Sequence, residues 1–202
     1  MRLSDFLPPD TAAARGARAL CDAFHSPAIT HHVLRSWLWA EAFAIVEGRT
    51  GIDHELLYTA ALLHDIGLVP AYDNHMLGYE EAGGFVGEAL TAGAGWPADR
   101  RHRVNEVIVR HNWPEVDPAL DVEGYLLEVA TGLDIAGRRD EDIPLAFRRE
   151  VLNAYPRLDL ADEFGSCVRE QATRKPHSQA RRLVDGGLDR KLAQNPLERL
   201  SS

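Results

Sequence analysis

Apolar residues recur three and four positions apart along nearly the whole chain, and no stretch alternates apolar and polar every second residue. No Asn-Gly or Asp-Gly turn joins β-rich runs, so the spacing predicts an all-α fold built without strands. The first helix is expected after Pro9, with Asp10 or Thr11 as cap, running to Phe24, where Ser26-Pro27 breaks it. A second runs over 30–48, ending at Gly48. Asp53 stands where an N-cap belongs, ahead of HELLYTAALLHDIG, a helix expected to be buried and to end at Gly67. Further helices are expected over 79–91, 97–111, 122–136, 144–154, 160–173 and 177–194.

At 202 residues, with no internal repeat or linker-like segment, the chain is expected to form one domain. No apolar run approaches the roughly 20 residues of a membrane-spanning helix, and the opening MRLSDFLPPD lacks the features of a secretory signal. A cytoplasmic protein without a membrane partner is the expectation. Net charge is -9, which repels phosphate backbones and argues against nucleic-acid binding. Residues 174–202 are mildly basic, with seven Lys or Arg against three Asp or Glu, and read as a solvated terminal helix. Cys21 and Cys167 are too far apart in sequence for a C-x-x-C site and read as buried thiols. The terminal helices could support a homo-oligomer, although no residue demands one.

The chemistry concentrates in LLHDIG, where His64 and Asp65 are adjacent among aliphatic residues. A buried carboxylate must be paired, hydrogen-bonded, neutralised or metal-bound, and taken alone the dipeptide fits a satisfied polar pair at a helix end. Two other segments shift that balance. His32, Arg35 and Trp39 fall on one face of the preceding helix, and Asp134 lies in an apolar helical run with Thr131 one turn earlier. His32, His64, Asp65 and Asp134 together make a mixed N/O donor set suited to one divalent ion, zinc first, with iron or manganese as alternatives.

A histidine, a His-Asp pair about 30 residues later and a distant aspartate, all on helices, resemble the H…HD…D signature of the HD superfamily. The resemblance implies a helical bundle around a divalent metal held by His32, His64, Asp65 and Asp134, with the metal-binding core over about 28–140 and C-terminal helices over 144–194. Within the superfamily the chain is similar to the cyanamide hydratase branch. PDT at 9–11, H-x-x-R at His32 and Arg35, LLHDIG at 62–67, YEEAGG at 79–84 and TGLDIAG at 131–137 appear in that branch's order. YEEAGG departs from the branch's FE-x-x-GA form, and Thr30-His31 replaces an Asn before the first ligand.

The resemblance implies a metal-activated water attacking a small substrate, such as a nitrile, to give an amide or urea. Arg35, Glu80 and His111 are the candidates for positioning substrate and managing protons. Helix-terminal charge is the plain alternative for Glu80 and His111. Phosphate-ester hydrolysis is the rival chemistry. It is weakened by the absence of a lysine in HDIGLVPAY, although Arg35 could clamp a phosphate. A helical sensing or scaffold domain is the non-enzymatic rival. His75 with His111 would make the centre dinuclear, and His25, His31, His54, His102 and His177 are expected to be exposed or structural.

Overall fold

The computed structural model describes residues 1–200. Among them are ten α-helices and no strand: α1 (Ala12–Phe24), α2 (Pro27–Val46), α3 (His54–Leu63), α4 (Tyr79–Gly93), α5 (Ala98–Arg110), α6 (Val122–Ala136), α7 (Leu145–Ala154), α8 (Leu160–Arg174), α9 (Gln179–Asp185) and α10 (Leu188–Ala193). None is long and apolar enough to cross a membrane.

Sequence dictates most of these boundaries through caps. The side chains of Thr11, Ser26, Asp53 and Asp121 each accept a hydrogen bond from a first-turn backbone N–H, opening α1, α2, α3 and α6. Ser26-Pro27 therefore does more than break α1: Ser26 caps α2 and Pro27 is its first residue, so α2 starts earlier than expected. Gly137 closes α6 in the left-handed region, at φ 66°. The expected terminal helix over 177–194 is two short helices, because Gly186-Gly187 interrupts it with Gly187 at φ 78°.

α2 is apolar nearly all round, as a helix enclosed on every side must be, and packs against α3, α6, α7 and α8. α1 buries Ala13, Ala14, Ala17 and Cys21 against α3, with the Cys21 thiol donating to the Leu62 carbonyl at 3.1 Å. Both cysteines are free, Cys21 buried and Cys167 half-buried. α4 runs close to the end of α3, and its glycines permit the approach. A Cβ at Gly83 would lie 3.1 Å from the Leu63 carbonyl oxygen, and one at Gly67 would collide with the Tyr79 carbonyl. The YEEAGG segment thus docks α4 on the turn that carries His64 and Asp65. Core residues form one connected apolar cluster from Ala13 to Leu197.

Candidate metal centre

α3 stops at Leu63, so His64 and Asp65 lie in the turn just past it rather than within a helix reaching Gly67; a 3-10 segment, Ile66–Leu68, follows. Both side chains are buried. The Nδ1–H of His64 donates to the Ala61 carbonyl at 2.7 Å, leaving the lone pair on Nε2. His32, from α2, donates its Nδ1–H to Asp134 Oδ2 at 2.7 Å, which likewise frees Nε2. These two Nε2 atoms face each other at 3.1 Å. Asp65 Oδ2 lies 3.2 Å from one and 3.4 Å from the other. Despite that proximity, neither Asp65 oxygen makes a hydrogen bond among the described residues.

Two lone pairs and a carboxylate oxygen directed at one buried point repel unless a cation stands between them. Four donors at about 2.0–2.1 Å from a tetrahedral ion are separated by about 3.3 Å, so the three observed separations fit three vertices of such a site. His32, His64 and Asp65 can therefore hold a divalent ion with a position left open, and they are the one such group among the described residues. Burial opposes a charged His32, but the Asp134 and Asp65 carboxylates outweigh it and raise its pKa. Burial would also raise the Asp65 pKa, yet His64 and His32 hold it well below the usual carboxylate range.

Asp134, read from the sequence as the fourth ligand, has both carboxylate oxygens engaged by protein donors. Its Oδ1 accepts from Arg35 Nε and Trp39 Nε1, each at 2.8 Å, and its Oδ2 from Arg35 Nη2 at 2.8 Å and His32 Nδ1 at 2.7 Å. Four donors fill the four lone-pair positions of a carboxylate. Asp134 thus stands behind His32, fixing its tautomer and orientation, an outer-shell role common for carboxylates at metal sites. Burial opposes its ionisation, but Arg35, His32 and Arg157 keep it well below the usual range. Arg35 is consumed by this task. It is fully buried, and its remaining nitrogen donates to the carbonyls of Tyr155 and Pro156 at 3.0 and 3.2 Å, so it does not reach the cleft as a catalytic or phosphate-binding group.

The three convergent side chains form the floor of a cleft of about 230 Å³. His111, at the end of α5, lines it with its ring 4.7 Å from that of His64, and its Nδ1–H is taken by the Ile108 carbonyl. Burial, and then His64, lowers the His111 pKa to about 3, so it is neutral with a free Nε2 lone pair. Glu80 does not line this cleft. It is buried in the first turn of α4 with Oε2 unpartnered, and burial pushes its carboxyl up to about 7. His75 is exposed in the loop before α4 and does not join His111 in a second centre.

His31 Nδ1 bonds the Pro156 carbonyl, His54 pairs with Glu41, His102 with Glu88, and His177 is exposed. His25 turns both ring nitrogens inward without a partner among the described residues, and burial lowers its pKa to about 4. Sequence reasoning missed Tyr79, Asn112, Phe164 and Lys191, which line the cleft, and Arg157, which donates to the Asp134 carbonyl at 2.7 Å. Tyr79 lies in YEEAGG, where only the glutamate was singled out, and the others stand outside any motif named above. α9 and α10 are not a solvated tail, since Leu183, Leu188 and Lys191 contribute to the cleft wall.

Two curated proteins of Saccharomyces cerevisiae, Cyanamide hydratase DDI2 and Cyanamide hydratase DDI3, are each 27% identical to this chain over 186 residues, covering 88% of it and 80% of the relative. The sequence profile of the HD domain family matches residues 29–130, half of the chain and the segment that contributes His32, His64 and Asp65. The chain therefore belongs to the HD domain family and is a metal-dependent enzyme of the hydrolase or hydratase kind.

Proposed function

We propose that the enzyme hydrates a nitrile-type substrate, adding water across C≡N to give an amide, with His32, His64 and Asp65 holding one divalent ion, zinc in the first instance. The observation that carries this reading is the convergence of two imidazole lone pairs and an unpartnered carboxylate on one point at the floor of a cleft. When bound there, the ion supplies Lewis acidity, which acidifies water and polarises an unsaturated bond.

The chain's own residues do the rest. Asp134, locked by Arg35 and Trp39, fixes the direction of His32, and the Ala61 carbonyl fixes His64. Neutral His111 offers an acceptor nitrogen beside the floor, placed to orient a water and take its hydrogen bond. Ile135, Phe164, Leu183 and Leu188 restrict bulk water. The similarity to the yeast hydratases supports an uncharged, unsaturated carbon as the centre attacked.

Phosphate-ester hydrolysis loses its strongest support because Arg35 is engaged. Arg138, which also lines the cleft, is paired with Glu128. The test combines elemental analysis with a substrate panel. Wild type should purify with about one equivalent of metal and hydrate cyanamide or simple nitriles. His64→Ala should lose both, whereas Asp134→Asn should keep the ion with affinity reduced by about 10–100-fold. Loss of metal in Asp134→Asn as complete as in His64→Ala would make Asp134 a direct ligand. Release of orthophosphate from phosphate esters without nitrile turnover would replace the hydratase reading.

A further inference from the structure

We propose that the substrate is an organic nitrile bearing a hydrogen-bond acceptor beyond its reacting carbon, and that Tyr79, braced by Asn112, recognises that acceptor. This rests on the hydratase reading of the same cleft and adds to it the class of nitrile.

Tyr79 opens α4 with 1% of its surface exposed, and it lines the cleft together with Asn112. The Asn112 Nδ2–H donates to the Tyr79 hydroxyl oxygen at 2.6 Å. The hydroxyl's own proton then has no acceptor among the described residues. Reversing the Asn112 amide would let Tyr79 donate to it, but would leave the amide N–H as the spare donor. Either way the pair keeps one donor at the cleft wall. A donor removed from water and left without an acceptor is unfavourable, and a bound ligand supplying one is correspondingly favoured.

Its position says which part of the ligand is read. Ring contacts run from His64 to His111, 4.7 Å between centroids, and on to Tyr79 at 6.1 Å, so the His111 ring stands between Tyr79 and the ligand imidazole in this chain of contacts. Size points the same way. At about 30 Å³ per water in the liquid, the cleft has room for about eight waters, several times what a molecule as small as cyanamide displaces. The apolar part of the lining, Phe164, Ile135, Leu183 and Leu188, suits the carbon body of a longer molecule.

The test uses methoxyacetonitrile and butyronitrile, which match in size and differ by an oxygen in place of a methylene. With metal-loaded enzyme we expect kcat/KM to favour the ether by about tenfold, and Tyr79→Phe to bring the ratio close to one. Metal content and melting temperature should match wild type, since the ring is retained. A ratio near one in wild type, or the same preference in Tyr79→Phe, overturns the proposal. Calorimetric titration of both compounds separates the two readings. If neither is turned over but wild type alone binds the ether more tightly, the hydratase reading falls and recognition of the acceptor stands. Binding of neither compound overturns the proposal.

Discussion

Asp134 and Glu80 are both buried carboxyls, and their surroundings drive them in opposite directions. Asp134 meets four donors and stays ionised, whereas Glu80 lies in a low-dielectric pocket with one oxygen unpartnered, and burial raises its pKa to about 7. Because that value lies above the ordinary 4.5, the folded protein holds a proton there that the unfolded chain releases. The associated stability is fully present below about pH 4.5 and is lost as pH rises towards 7, at about 1.4 kcal/mol per pH unit, roughly 3 kcal/mol in all. Glu80→Gln keeps the shape and removes the titration. Urea unfolding should find the variant gaining on wild type by that order across the window, and parallel pH profiles would assign the proton elsewhere. At this scale the sequence placed His32, Arg35 and Trp39 together, because helical spacing fixes who shares a face, and drew in Asp134 only as an acid within an apolar helical run. It could not show that Arg35 and Trp39 use up the Asp134 lone pairs, since that depends on how α2 crosses α6.

Among the elements, the caps and the apolar periodicity made eight of the helices readable from the sequence pattern, α1 almost to the residue and α3 at its start. The end of α3 was the instructive exception. LLHDIG continues the helical pattern to Gly67, yet the backbone turns at Asp65 to let α4 approach, and that contact is set by residues more than ten positions away. Gly67 is the residue that makes the approach possible. Gly67→Ala would press a methyl group onto the Tyr79 carbonyl and force the start of α4 outward. We expect a loss of about 1–3 kcal/mol in chemical denaturation together with weaker metal retention. Wild-type melting and metal content in Gly67→Ala would show the contact to be slack.

Across the whole molecule, the end of the described chain holds the back of the metal centre. Asn195 Nδ2 donates to the Asp134 carbonyl at 2.8 Å, and buried Arg157 pairs its Nε with Glu198 at 2.6 Å while its Nη1 donates to that same carbonyl. Ending the chain after Gln194 removes Asn195 and Glu198 and leaves Arg157 with Asp134 Oδ2, at 3.6 Å, in place of its shorter pair. We expect at least about 2 kcal/mol of destabilisation, below the roughly 3–5 kcal/mol of a fully enclosed pair because Glu198 is partly exposed. A truncated protein with an unchanged urea midpoint would exclude this support. The family profile ends at residue 130, before Asp134 and before every residue of this clasp.

His32, His64 and Asp65 all lie in the first third of the chain, whereas Leu183, Leu188 and Lys191 of the cleft wall come close to its end. At roughly 5–20 residues per second of synthesis, about 6 to 25 seconds separate the emergence of the ligands from that of the wall. During that interval the donor atoms lack the cover of α9 and α10. The three donors are therefore most open before α9 and α10 pack, and a folded protein stripped of its ion must take up the next one through the cleft those helices help to wall.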